Sequence, residues 1–236
     1  MADLAREIPL AAFRSWARYF RYRVEGFETL EHTETSMVVG YHGGPWAFDL
    51  WILAARMHDE LGYFPRAVWH RAWWQVPGLR EAVTALRGMP GAPDEATMDE
   101  IRARRQHLMV APGGAPEGQR PFWERGRVDF GKRRGYLRLA RRYGLPIIPV
   151  VASGVDRTFV GLTHGHDVVA PFAPERFPLW LGVGIGGLWP LAIPFPVQIR
   201  QRIGDAIDIA HFGDDLDAAH EHVTTRMQAL LDGAAK

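Results

Sequence analysis

Pro112-Gly113-Gly114-Ala115-Pro116-Glu117-Gly118-Gln119-Arg120 follows directly on the apolar run Leu108-Met109-Val110-Ala111. A short apolar run that ends in glycine and proline reads as a buried strand delivering a tightly bent loop. The loop carries one acid and one base, Glu117 and Arg120. In an open α/β sheet, ligands bind beyond the carboxyl ends of the strands, so a charged loop in that place is a candidate site.

Working outward, the same design recurs twice. Upstream, Ser36 to Tyr41 reads as a strand that runs into His42-Gly43-Gly44-Pro45, and a helix is expected from Asp49 to Met57. Downstream, Gly135 to Tyr143 reads as a helix with Tyr136, Leu139, Ala140 and Tyr143 on one face, followed by the apolar strand Ile147 to Val151. Further strands are expected near Phe64 to Trp69 and Val197 to Ile203, and helices over Met98 to Arg105 and Asp214 to Leu231, the last capped by Asp214 or Asp215. Alternating strands and helices predict an α/β fold with a mostly parallel or mixed central sheet flanked by helices. The segment Gly88 to Asp94 reads as a loop, and the proline- and glycine-rich stretch from Pro171 to Pro196 as an apolar loop or broken helical hairpin that covers an acyl-chain groove.

The chain of 236 residues has 47% hydrophobic and 23% charged residues, which suits one folded domain and argues against disorder. It has no cysteine, so disulfides, thiolate metal sites and a cysteine nucleophile are excluded. A net charge of +1 gives no general affinity for nucleic acid. Charge is locally uneven, however: nine basic residues lie between Arg120 and Arg142, among them Lys132 and Arg133, against Glu124 and Asp129 alone. That field attracts anions, whether phosphates of coenzyme A, a carrier protein or lipid headgroups, and a plain solvated helix face accounts equally for Arg138, Arg141 and Arg142.

From Leu10 to Arg23, Phe13, Trp16, Ala17 and Phe20 fall on one helical face and Arg14, Arg18 and Arg21 on the other. Such a helix either lies on anionic lipid or packs on its own domain, because both faces have the same period. Residues 1–35 are therefore read as an amphipathic N-terminal membrane-associating segment and 36–236 as the catalytic domain. No long apolar run and no signal-peptide core is present, which gives the expectation of a cytoplasmic protein, peripheral on the inner face of the membrane.

His42, the block around Glu117 and the block Leu145-Pro146-Ile147-Ile148-Pro149-Val150 together resemble the glycerolipid acyltransferase family. That family carries His-x4-Asp, Pro-Glu-Gly-(Thr/Ser)-Arg and Val/Leu-Pro-Ile-Ile-Pro-Val in this order. The upstream Pro-Gly-Gly and the stretch Gly126 to Gly135 are similar to the diacylglycerol-acyltransferase-related branch. The resemblance implies transfer of a fatty acyl group from acyl-CoA or acyl-carrier protein to a hydroxyl of a glycerolipid or lysophospholipid, with no cofactor or metal. It casts His42 as general base and Asp49 as its orienting partner, although six residues separate them here in place of four. It implies substrate-binding roles for Gly113, Gly114, Glu117, Gly118, Arg120, Lys132 and Arg133, the glycines by way of backbone N–H groups that form an anion nest. The family's second block, with a phosphate-binding arginine, would fall near Gly88 to Pro93, where no arginine occurs; Arg87 or Arg71 is the candidate substitute.

Three other readings stand beside this one. A serine hydrolase would need a Gly-x-Ser-x-Gly elbow, which is absent, the nearest candidate being Ser153 beside Gly154. His164, His166 and Asp167 are potential metal ligands without a further spaced ligand, and His220 and His222, two apart on a helix, face different sides. A non-catalytic lipid-binding or membrane-scaffolding protein of the same fold remains the alternative, which the wider His42 to Asp49 spacing supports.

Overall fold

A computed structural model describes residues 2–69, 74, 78–163, 179–184 and 192–234. The elements run α1 (Ala2–Tyr19), β1 (Arg23–Glu25), α2 (Glu28–His32), β2 (Met37–Gly40), α3 (Phe48–Leu61), β3 (Arg66–Val68), α4 (Leu79–Ala85) and β4 (Gly88–Met89). They continue with α5 (Glu95–Ala103), β5 (Leu108–Val110), α6 (Gly114–Gly118), α7 (Gly135–Tyr143), β6 (Ile147–Ser153), β7 (Val160–Gly161), β8 (Trp180–Leu181), β9 (Arg200–Ile203) and α8 (Leu216–Ala234). The main sheet has seven strands in the order β1-β9-β6-β2-β5-β3-β4, parallel throughout except for the antiparallel pair β6 and β9. It is the mixed sheet with flanking helices that the alternating pattern predicts.

The sheet divides two cores by the strand period of two. Met37 and Val39 of β2, Leu108 and Val110 of β5, and Ile147 and Val151 of β6 meet Met98 and Ile101 of α5 and the inner faces of α7 and α8. The alternate residues Val38, Met109, Ile148 and Val150 meet Leu10 and Phe13 of α1, Leu30 of α2 and much of α3. Pro149 is tolerated inside a central strand because β9 has ended opposite it: its carbonyl accepts from Gly204 N–H, and no strand residue there requires a donor.

The N-terminal helix extends earlier than the expected Leu10 start and carries Pro9 within it. Its aromatic face is spent inside the protein. Phe13 stacks on Trp51, with ring centroids 5.2 Å apart, and Trp16 meets Phe48 edge to face at 4.8 Å. Arg14, on the other face, pairs with Asp59 of α3. β1 then joins the sheet edge, with Glu25 and Arg202 paired across it at 2.8 Å. Residues 1–35 thus share both cores with the rest of one domain. No helix among the described residues is long and apolar enough to cross a membrane.

Two local readings change. Gly88 and Met89, expected in a loop, form the edge strand β4, since pairing with Ala67 and Val68 satisfies their backbone. Within 171–196, the described residues include a short ribbon in otherwise irregular chain: β8 pairs with β7, and Val183 bridges to Ile193. The rest of the supposed acyl-chain cover lies outside the described residues, as do Arg71, His164, His166 and Asp167. Asp215 caps α8, accepting from Ala218 N–H at 2.9 Å.

Candidate active site

β2, β5 and β6 lie side by side and parallel, so the segments leaving their carboxyl ends converge. These segments are Tyr41 to Ala47, Ala111 to Arg120 and Gly154 to Thr158. Gly43 and Gly44 allow the first to press on the third: a Cβ at Gly44 would lie 2.9 Å from the Val155 carbonyl, and one at Gly43 would collide with the Val155 side chain. Gly118 does the same for the second segment. A Cβ there would collide with Nδ1 of His42, so the imidazole ring lies against a bare Cα.

The chain around His42 is fixed by Glu117. Its Oε2 accepts from His42 N–H at 2.9 Å and its Oε1 from Asp129 N–H at 2.8 Å. Arg120 lies 3.6 Å from Oε1, and both side chains are buried. Burial pushes the Glu117 carboxyl up to about 7, against the downward pull of the two backbone N–H donors and Arg120. The Arg120 guanidinium also donates to the carbonyls of Arg127 and Asp129. Glu117 and Arg120, expected to bind substrate, are brought next to His42, but their polar atoms are engaged by the protein itself. Their place is that of a clamp joining the His42 segment to the Asp129 loop.

Of the glycines expected to form an anion nest, Gly114 has its N–H engaged by the protein. The stretch read as a bent loop contains the helical turn α6, Gly114 N–H donates to the Ala111 carbonyl, and Gly113 makes room for the Glu117 carboxylate. Arg133 donates to the carbonyls of Pro112 and Gly113, at 3.2 and 2.5 Å. Exposed Lys132 and Arg133 line, with Pro116, Asp129 and Phe130, a groove of about 350 Å³. Arg87 stands at the amino end of β4, the end of the sheet away from His42, where it pairs with Glu100 at 3.2 Å; it does not replace the missing phosphate arginine.

His42 and Asp49 reach the same end of the sheet, yet no hydrogen bond joins them. His42 Nδ1 and Asp49 Oδ1 are both buried without a partner among the described residues. Burial lowers the His42 pKa to about 4 and raises that of Asp49 to about 7. Burial thus favours the neutral form of the ring. Asp49, in the first turn of α3, is held from its other side: Tyr22 donates to Gln201 Oε1, and Gln201 Nε2 donates to Asp49 Oδ2 at 3.3 Å.

This buried chain of Tyr22, Gln201 and Asp49 has no signal in the sequence, because its members lie on three distant segments. Asp156 was also missed. With Tyr41, Gly43, Arg120, Arg125 and Trp180 it lines a small cleft of about 20 Å³, room for about one water molecule, beside the His42 segment. Its position just past a parallel strand was the readable clue. His220 and His222 do face apart, the first onto Tyr136 and Phe130, the second onto Phe212. No group of three or more acidic or histidine side chains able to hold a metal occurs among the described residues.

Replacing Gly118 by alanine forces the imidazole aside and presses on the Gly44 carbonyl, 2.8 Å from the added Cβ, without touching any charged group. Gly118→Ala is expected to lower turnover about 100-fold, the order of loss that an ångström of misplacement causes, with a lower thermal midpoint from the clash with the Gly44 carbonyl. Steady-state kinetics beside a melting curve checks both.

The chain is similar to proteins of glycerolipid acylation. It is 26% identical over 217 residues to a human protein named DGAT1/2-independent enzyme synthesizing storage lipids, covering 89% of this chain and 61% of that one. It is 21% identical over 176 residues to diacylglycerol O-acyltransferase 2 of Xenopus tropicalis, covering 67% and 48%. An uncharacterised protein of Mycobacterium tuberculosis is 26% identical over 207 residues, covering 85% and 55%. The chain thus spans about three-fifths or less of the length of these curated relatives. No protein-family profile matches it. Its fold is that of the crystal structure of the 1-acyl-sn-glycerophosphate acyltransferase PlsC from Thermotoga maritima, with a TM-score of 0.54 over 94% of this chain and 78% of that one, at 14% identity. The resemblance read from the three sequence blocks is borne out by these similarities.

Proposed function

We propose that the protein is a glycerolipid O-acyltransferase that moves a fatty acyl group from an acyl thioester, on coenzyme A or a carrier protein, to a hydroxyl of a glycerolipid or lysophospholipid. The observation that carries the reading is the meeting of His42, its backbone N–H held by Glu117, with Asp49 where three strand ends converge, His42 Nδ1 and Asp49 Oδ1 each lacking a partner among the described residues. The similarity to acyl-transferring relatives supports the reaction class.

His42 takes the proton of the acceptor hydroxyl as its oxygen attacks the thioester carbonyl. A tetrahedral oxyanion forms, collapses to the ester, and expels the thiolate, which recovers the proton from the imidazolium. Asp49 stabilises that imidazolium, turning its free Oδ1 toward the ring when substrate binds. The groove beside Lys132 and Arg133 receives the phosphates of the donor. A protein peripheral on the inner face of the membrane suits water-soluble donors and lipid acceptors.

Incubation with a long-chain acyl-CoA, with or without lysophospholipids, diacylglycerol or glycerol 3-phosphate, tests the reading by thiol release. Release that requires an acceptor supports it; acceptor-independent release indicates hydrolysis. No release, with carrier-protein thioesters also inert, would favour a lipid-binding role.

The pH dependence follows from the two shifted groups. His42 stays neutral above about 4, so it sets no limit near neutrality. Asp49 gains its charge only as the pH rises through about 7. Activity is expected to climb through that point and then level. Asp49→Asn is expected to lose the climb and about 100-fold in rate, within the usual range for acid–base assistance. An unchanged climb in that variant would assign it to Glu117, which has the same pKa of about 7.

A further inference from the structure

Large apolar side chains gather in water around the mouth of the small cleft. Phe122 and Trp123 are 40% and 58% exposed, and Leu179, Leu181, Val183 and Ile193 are exposed with them. The β7 and β8 ribbon shows how this face arises. Successive strand residues alternate between faces, and Trp180 and Gly182 take the inner one. Trp180 stacks on Phe159 with ring centroids 6.4 Å apart, and a Cβ at Gly182 would lie 3.1 Å from the Phe159 ring. Leu179, Leu181 and Val183 therefore point outward, joined by Ile193, which bridges to Val183. A strand with one face in water ordinarily keeps that face polar, so a ribbon apolar on both sides has a partner.

The ribbon and the aromatic pair belong to one surface. A Cβ at Gly161 of β7 would lie 2.6 Å from the carbonyl of Arg120, two residues before Phe122. Phe122 and Trp123 meet edge to face at 5.1 Å, and the Arg125 guanidinium stands 5.6 Å from the centre of the Phe122 ring. Arg125, Arg127 and Arg157 are exposed around this surface, Arg127 with one partner already in Asp129 at 3.0 Å. Trp180, Phe159 and Arg125 also line the cleft, so whatever covers the face meets the cleft opening.

We propose that this face docks on an anionic bilayer surface. Phe122, Trp123 and the outward residues of the ribbon enter the headgroup boundary, and the three arginines meet lipid phosphates. Exposed aromatics combined with arginines fit that boundary, which is apolar below and negatively charged above. The aromatic face of α1, the other candidate for the membrane, is occupied by α3. The purpose of docking, delivery of a lipid acceptor to His42, rests on the acyltransferase reading; the docking itself does not.

Flotation of the full chain with vesicles of phosphatidylcholine, with and without phosphatidylglycerol, tests the proposal. The wild type is expected to float with anionic vesicles and to be released by high salt. A Phe122→Ser/Trp123→Ser double variant is expected to bind at least about fivefold more weakly, because apolar insertion is lost. Ile8→Ser, at an exposed apolar site on α1, should bind as the wild type does. Thiol release from a short-chain acyl thioester with a monomeric acceptor should be the same in the double variant. A double variant that floats like the wild type overturns the proposal, as does a wild type that ignores both vesicles, which would leave the face to a protein partner. Wild-type binding without turnover would instead count against the acyltransferase reading alone.

Discussion

His42→Ala is expected to lower acyl transfer about 1,000-fold or more while leaving the fold intact. Removing a general base typically costs two to four orders of magnitude, and here the ring also fills the space against Gly118. Nδ1 of the ring has no partner among the described residues, so its loss strands none there. Folding should therefore survive, and the loss should appear in turnover with little change in substrate binding. Steady-state kinetics, a melting curve and a lipid-binding measurement on the same preparation separate these outcomes. Equal losses of folding and activity would make His42 a structural residue.

Glu117→Ala is expected to act in the opposite order, on stability first. It leaves the N–H groups of His42 and Asp129 without acceptors and Arg120 without its buried counter-charge. Breaking a buried pair of this kind costs about 3–5 kcal/mol, a large share of the stability of a single domain. Urea unfolding should show a lower midpoint with an unchanged slope. The pH dependence has a definite sign. The folded carboxyl titrates at about 7, above its ordinary value of 4.5, so the folded state holds the proton more tightly. The stability this contributes is present in full below the ordinary value and is lost as the pH rises through about 7. Glu117→Ala should abolish that decline along with the activity, because the segment carrying His42 is no longer tied down.

The fold was readable because its central strands announce themselves. Val38 to Tyr41, Leu108 to Ala111 and Ile147 to Val151 are short apolar runs, each ending in glycine, proline or a polar turn, and burial on both sheet faces requires that composition. The helix from Gly135 to Tyr143 was fixed by its apolar period, and the structure ends it on Gly144 in the left-handed region. Edge elements were not readable, since β1 and β4 have two or three residues each and depend on a neighbour.

The site was legible in its members and less so in their work. His42, Glu117, Gly118 and Arg120 do meet, as the three blocks imply. A motif records which residues come together but not which atoms are already engaged. Glu117 reads as a ligand-binding acid until its two oxygens are seen to hold two backbone N–H groups, one of them twelve residues along the chain. The support of Asp49 by Gln201 and Tyr22 depends on β9 lying beside β6 and on the approach to β1, which no local pattern encodes.

The most direct test of the central claim is the identity of the product. The wild type, His42→Ala and Glu117→Gln would each be given an isotopically labelled long-chain acyl-CoA with a mixture of glycerolipid acceptors, and the lipids resolved by mass. The account predicts a labelled acyl ester of one acceptor class from the wild type, in amount equal to the thiol released, and almost none from His42→Ala. Equal ester from wild type and His42→Ala, or labelled free fatty acid in place of ester, would contradict it.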